Sequence, residues 1–166
     1  MIMKQTKITL RPIPTTDAES IADILLDTSV KQSYMVGDLA KEEAYQMGLR
    51  IASLSCTEDR YVRGIYMNNG LVGFLNDVEI KDGTIELGWV IAPAHQGNGY
   101  ATEAVRIAID DLFSKGYIRV IAGAFSENSA SIRVMEKAGM IRQELTELIE
   151  YRGITHTCIY YAKDKA

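Results

Sequence analysis

The stretch Gln96-Gly97-Asn98-Gly99-Tyr100-Ala101 constrains this chain most. It joins an apolar, strand-like run, Ile85 to Ile91, to an amphipathic helical pattern, Ala101 to Lys115. Two glycines at a strand-to-helix turn leave backbone N–H groups free to converge, and the helix N-terminus adds partial positive charge. Together they form a cradle for phosphate oxygens. The cradle is not a Walker A loop, because no Lys-Ser or Lys-Thr follows a second glycine at the required spacing. It is also a poor dinucleotide fingerprint. The sixth position from Gly97 is Thr102, and the following apolar run, Tyr117 to Ala124, holds no acidic residue. A dinucleotide loop normally follows the first strand, whereas this one sits mid-chain behind an antiparallel meander.

Composition narrows the classes further. A chain of 166 residues with 47% hydrophobic content suits a single soluble domain spanning 1–166. No apolar run reaches the length of a membrane span, and the first residues lack the apolar centre of a signal peptide. A cytoplasmic protein without membrane attachment is the expectation. Cys56 and Cys158 lie far apart and there are only two histidines, so neither a metal site nor a disulfide framework is expected. A net charge of −4 argues against a nucleic-acid groove, which needs a basic stripe, and tolerates a cationic acceptor.

Along the chain, Lys7 to Ile13 reads as a strand ended by Pro12 and Pro14. Thr15 or Thr16 is positioned to cap a helix bearing Ile21, Ile24, Leu25 and Leu26 on one face. A polar connection, Thr28 to Leu39, leads to a second helix over Lys41 to Ser53. Strands follow at Tyr61 to Met67, Leu71 to Ile80 and Thr84 to Ile91, joined by turns at Asn68-Asn69-Gly70 and Lys81-Asp82-Gly83. Behind the glycine loop, Ala101, Val105, Ala108, Ile109, Leu112 and Phe113 make a helical apolar stripe that Gly116 ends. Tyr117 to Ala124 is a strand, Ser129 to Ala138 a short helix, and Met140 to Ile149 and Ile154 to Ala162 a closing pair hinged at Tyr151-Arg152-Gly153. The predicted class is α/β, a mixed α+β sheet with helices.

Two segments carry candidate chemistry. In the strand before the loop, Ile85, Leu87, Trp89 and Ile91 face one way, and Thr84, Glu86, Gly88 and Val90 the other. Glu86 is therefore a mid-strand carboxylate on the less bulky face, either a solvated side chain or a general base acting on an amine. In Ser126-Glu127-Asn128-Ser129-Ala130-Ser131, Asn128 or Ser126 can cap the following helix.

Three ordered blocks resemble the GNAT superfamily of acyl-CoA N-acyltransferases, and within it the RimJ/RimL-like branch of ribosomal-protein N-terminal acetyltransferases. They are Glu86-Leu87-Gly88-Trp89, the Q-x-x-G-x-A loop from Gln96 to Ala101 with Thr102-Glu103-Ala104 behind it, and Asn128 to Met140. Thr9-Leu10-Arg11-Pro12 is similar to that branch as well. The resemblance implies the GNAT fold, a splayed, mostly antiparallel sheet flanked by helices, with acetyl-CoA as cosubstrate wedged where two strands part. It implies that the backbone of Trp89, Val90 and Ile91 pairs with the pantetheine arm and that Gln96, Gly97, Asn98, Gly99, Tyr100, Ala101 and Thr102 hold the pyrophosphate. Asn128 would contact the pantetheine side and Glu86 would act as general base.

The chain departs from the superfamily where many members carry a tyrosine acid, here Met135, so Ser131 is the substitute expected to assist the thiolate. A thiolate is also a fair leaving group without a dedicated acid. The last strand has Thr155 or His156 where an aspartate is frequent, and Met140 replaces a phenylalanine. His95 reads as a surface turn residue, His156 as a partly buried strand histidine without a partner, and Tyr160 and Tyr161 as sheet packing. Tyr34 reads as an acceptor contact, because its segment walls the acceptor pocket in the family. The implied reaction is direct attack in a ternary complex, with a backbone amide near Val90 or Ile91 stabilising the oxyanion. The acceptor is a primary amine: a protein N-terminus, or a small molecule such as a polyamine, amino acid or aminoglycoside. The competing class is a non-catalytic acyl-CoA sensor, which would not need Glu86. An exposed strand edge could support a homodimer.

Overall fold

The computed structural model describes residues 7–166. Seven strands form one sheet in the order β1-β2-β3-β4-β5-β7-β6. The strands are β1 (Ile8–Arg11), β2 (Val62–Met67), β3 (Gly70–Lys81), β4 (Thr84–Ile91), β5 (Arg119–Phe125), β6 (Ile141–Tyr151) and β7 (Ile154–Asp164). The helices are α1 (Ala18–Leu26), α2 (Lys41–Leu54), α3 (Tyr100–Ser114) and α4 (Ser129–Lys137). Every neighbouring pair of strands is antiparallel except β4 and β5. A parallel pair needs a crossover connection, and α3 supplies it.

Sequence alternation divides the core in two. Ile85, Leu87 and Ile91 of β4 join Val120, Ala122 and Ala124 of β5 against Ala104, Val105, Ala108, Ile109 and Leu112 of α3. Burying each Ile or Leu side chain there contributes about 1.5–3 kcal/mol. On the other face Phe74 and Val90 pack against Ile13, Ile21, Ile24, Leu25 and Val30. That second layer, built by α1 and its flanks, covers the β2–β4 side of this face.

The turns follow the expected chemistry. Asp82 and Gly83 both adopt positive φ (51° and 78°), as do Arg152 and Gly153 (52° and 75°). Both are primed hairpin turns, whose twist matches that of the flanking strands. At Asn68 φ is 56°, while Gly70 already belongs to β3. One expectation fails: neither Thr15 nor Thr16 caps α1. Residues Thr15–Asp17 form a 3-10 turn with no side-chain cap bond, and the Asp17 N–H donates instead to Pro14 O at 2.9 Å. The prolines fix the entry, so the backbone turn fills the role assigned to a hydroxyl. Elsewhere the strands and helices begin or end within about two residues of the predicted limits.

Candidate active site

Strands β4 and β5 pair only from Thr84↔Arg119 to Leu87↔Ala122. Beyond that row they part, and Gly88 to Ile91 have no partner on the β5 side. The Ala92 N–H donates to Val72 O on the β3 side at 2.8 Å. Ladder groups of an antiparallel pair alternate in direction, so Val90 points its backbone toward β3. Trp89 and Ile91 then direct theirs into the gap. The carbonyl of Ile91 accepts from Gln96 Nε2 at 3.0 Å, which folds the loop over the end of β4.

The glycine loop sits at the open end of this gap. Gly97 and Gly99 have φ of 81° and 78°, and a Cβ built on either would meet no protein atom within 4 Å. Positive φ turns their N–H groups outward, and the space before them is free for a ligand. Asn98 braces the loop from within, its Nδ2 donating to His95 O at 3.0 Å. Tyr100 sends its side chain inward to Met67 Sδ and leaves its backbone at the N-terminus of α3. On the β5 side, Asn128 Oδ1 accepts from the Ser131 N–H at 3.2 Å and caps α4.

A cavity of about 690 Å³ joins these parts. Its walls include Trp89, Val90, Ile91, Gln96, Gly97, Gly99, Tyr100, Ala101, Thr102, Asn128, Ser131 and Tyr34. Of the predicted site residues, only Asn98 and Glu86 lie outside the lining. Sequence reasoning missed Arg133 and Lys137, which also line the cavity. Their four-residue spacing on the helix after Asn128 was the available signal. Met135, where a tyrosine acid is frequent, is fully buried in the core and does not line the cavity. His95 is half-buried and lines the cavity, rather than standing free on the surface.

Glu86 lies four residues before Val90 on the same face, roughly 13 Å along the strand. It is partly buried. Burial, then the charges of Glu79 and Glu147, raises its carboxyl above the ordinary carboxylate range. Asn76 and Tyr34 stand nearby on this face. The Tyr34 hydroxyl donates to Asn76 Oδ1 at 2.9 Å, and burial raises its pKa to about 12. Tyr160 donates to Glu147 Oε2 at 2.9 Å, so it has a polar role beyond sheet packing, while Tyr161 is buried in the core.

His156 does have a partner, contrary to expectation. Its Nδ1 meets Glu127 Oε1, and its ring stacks on Phe125 at 4.1 Å between centroids. Glu127 is held below the usual carboxylate range by a bond within its own residue and by His156. The two residues are 29 apart in sequence, and only the β5–β7 pairing brings them together. Among the described residues, no group of three or more His, Cys, Asp or Glu could hold a metal ion, and no helix is long and apolar enough to cross a membrane.

Comparison with known proteins agrees with this geometry. Residues 7–141 match the family model described as an acetyltransferase (GNAT) domain. A probable N-acetyltransferase of Bacillus subtilis, YjcK, is 33% identical over 109 residues, covering 63% of this chain and 52% of YjcK. The chain thus matches about half the length of that relative. A GNAT-family acetyltransferase of Bacillus anthracis superposes with a TM-score of 0.83 at 26% identity, covering 99% of this chain and 98% of that one. RimL, the ribosomal L7/L12 alpha-N-protein acetyltransferase solved with coenzyme A, superposes with a TM-score of 0.85. Its identity is 18%, with 96% and 95% of the two chains covered, so that likeness is one of fold.

Proposed function

The chain belongs to the GNAT acetyltransferase family, and from that premise we propose that it moves the acetyl group of acetyl-CoA to a primary amine. One observation carries the reading. Two parallel strands part beside an outward-facing glycine loop, and a partly buried carboxylate of raised pKa stands on one of them. Acetyl-CoA supplies the activated acetyl group. The outward amides of the loop from Gln96 to Thr102 bind its phosphates, and Arg133 and Lys137 add positive charge. Trp89, through its N–H and carbonyl, and Ile91, through its N–H, offer free backbone groups to the pantetheine arm, as a neighbouring strand would, and Asn128 contacts it from the far side.

Glu86 takes a proton from the attacking amine, directly or through water. A base whose pKa lies nearer the working pH is better matched to that task than an ordinary carboxylate. As the N–C bond forms and the C–S bond breaks, the Trp89 N–H, which faces the gap nearer Glu86, polarises the carbonyl, and the sulfur leaves as a thiolate that Ser131 hydrogen-bonds and that takes its proton from solvent. No covalent enzyme intermediate is involved. Cys158 is buried with its pKa raised by burial, the wrong direction for a nucleophile.

The acceptor is a protein N-terminus or a small amine. RimL, whose fold this chain shares, is described as acting on the N-terminus of a ribosomal protein. The carboxylates of Glu79, Glu86 and Glu147 suit an acceptor that arrives as an ammonium. The deciding experiment follows thiol release from acetyl-CoA with N-terminal peptides, polyamines, amino acids and aminoglycosides, using the parent chain and Glu86→Gln. Release by the parent and its loss in the variant support the transferase. Acetyl-CoA binding without release from any acceptor favours a sensor.

A further inference from the structure

His156 stands on the face of the sheet that bears Glu86. Glu86 is paired with Ile121 of β5, and Phe125 of β5 with Cys158 of β7. Paired residues share a face and every second residue returns to it, so Glu86, Ile121, Phe125, Cys158 and His156 lie on one side. The two parallel strands part just beyond the Glu86 row, after Leu87↔Ala122. Phe125 lies four residues from that row, about 13 Å along β5. An amine over the start of the gap, at Gly88 and Trp89, therefore lies between Glu86 on one side and Phe125 with His156 on the other.

The imidazole is held in one orientation. Its ring stacks on Phe125 with 9° between the planes, and its Nδ1 meets Glu127 Oε1. Glu127 is held below the usual carboxylate range, first by its own backbone N–H and then by His156, so it is ionised. A carboxylate has no proton to give, so Nδ1 is the donor of this pair, and in the neutral ring the lone pair belongs to Nε2. Nε2 has no hydrogen-bond partner among the described residues. None of their buried side-chain nitrogen or oxygen atoms lacks one, so Nε2 opens to solvent. From β6, Tyr151 faces the ring at 6.4 Å between centroids, with its hydroxyl bound to Lys31 O. Beyond it stands Arg152, paired with Asp38. Cys158 follows on the same strand.

A carboxylate that orients an imidazole and leaves its second nitrogen open makes that nitrogen a base. An alkyl amine arrives at neutral pH as an ammonium. It must lose two protons, one to expose its lone pair and one as the N–C bond forms, and Glu86 can hold only one of them. We propose that His156, oriented by Glu127, is a second catalytic residue: its Nε2 takes the first proton from the acceptor ammonium, and Glu86 takes the proton released on attack. Ammonium and imidazole become free amine and imidazolium. Attack on the thioester then yields the amide, the protonated Glu86 carboxyl and the coenzyme A thiolate. Glu127 stabilises the imidazolium, which returns its proton to solvent. The assignment rests on the transferase reading and deepens it.

In the first arm, kcat/KM is measured at about pH 7 and pH 9 for an N-terminal serine tetrapeptide and for 1,4-diaminobutane. An α-amine has an ordinary pKa of about 8 and an alkyl amine about 10, so only the peptide is mostly neutral at the higher pH. His156→Ala should lower kcat/KM for both acceptors about 100-fold at the lower pH, with KM for acetyl-CoA unchanged, and added imidazole should restore about tenfold. At the higher pH the loss should shrink to within about threefold for the peptide and persist for the diamine. No loss, or an equal loss for the peptide at both pH values, overturns the proposal. If His156→Ala does not fold, His156→Gln is measured in its place. The second arm needs no turnover. The chain has two histidines, so nitrogen NMR of the histidine-labelled protein resolves His156. In the neutral ring Nδ1 should carry the proton, and Glu127→Ala should move it to Nε2. A proton on Nε2 in the parent overturns the proposal whatever the activity. A parent that acetylates neither amine counts against the transferase, and the tautomer then decides whether His156 presents a base.

Discussion

Replacing Gly99 with alanine separates two consequences of one backbone conformation. Gly99 has φ of 78°, and an added Cβ would touch no protein atom within 4 Å. The fold therefore meets only the intrinsic cost of a left-handed L residue, about 1–2 kcal/mol. For a domain of this size that lowers the melting midpoint by about 2–8 °C. Ligand binding suffers separately, because the methyl group occupies the space before the loop amides. Losing one charge-assisted hydrogen bond costs about 1.5–3 kcal/mol, or roughly 10- to 150-fold in Kd. Gly116 provides the control. Its φ is 102°, its Cβ would also meet nothing, and it lies at the far end of α3. Gly116→Ala should melt at least as early as Gly99→Ala and bind acetyl-CoA like the parent. Both quantities come from thermal melts and calorimetric titration of the same preparations. Equal acetyl-CoA affinities in the two variants would refute the assignment of the phosphates to this loop.

Glu86→Gln should lower kcat by about 10²–10⁴-fold and remove the acidic limb of the pH–rate profile, which the raised pKa sets above the ordinary carboxylate range. The same variant should be more stable than the parent at neutral pH: a raised folded pKa gives stability that is full below the unfolded pKa and lost as pH rises through the folded one, so melts at about pH 4 and pH 8 should show the advantage only at the higher pH. Arg133→Ala with Lys137→Ala should weaken acetyl-CoA binding about tenfold at low salt and flatten its salt dependence, with acceptor KM unaltered; a salt dependence equal to the parent's would remove both residues from the site. Asp77→Ala breaks a part-buried two-point contact with Arg60 and a buried bond to the Tyr61 N–H, and should lower urea stability by about 2 kcal/mol with acetyl-CoA affinity unchanged.

Much of the site was legible because its parts are local. Gln96 to Thr102 announce a strand-to-helix turn through glycine spacing, and Asn128 announces a helix cap three residues before Ser131. The alternation of β4 gave the faces of Glu86 and Trp89 from period alone. What stayed hidden depends on long-range pairing. His156 meets Glu127 only because β7 lies beside β5, and Arg152 meets Asp38 across 114 residues. Neither pair has a local pattern. The direction of the Val90 backbone was equally out of reach, since alternation of side chains does not say which neighbour the amides face. Thr15 looked like a cap by residue type, yet Pro14 already fixed the chain's entry into the helix.

The position of the site follows from topology as much as from motif. β4 and β5 are the only parallel neighbours among the described strands, so their C-terminal ends point the same way. Each of those ends leads into a helix, β4 through the glycine loop into α3 and β5 through Asn128 into α4. Two helix N-termini therefore converge on one edge of the sheet, and their partial positive charges add where an anion would sit. Antiparallel neighbours cannot do this, because their adjacent ends alternate between C- and N-termini. The gap opens at this same edge, since pairing stops after Leu87↔Ala122. Glu86 lies one row behind the last pair, still inside the ladder. The proposed phosphate cradle is thus carried by turns at the sheet edge, and the proposed base by a paired strand. On the proposed reading, changes in the loops alter acetyl-CoA affinity without moving the carboxylate.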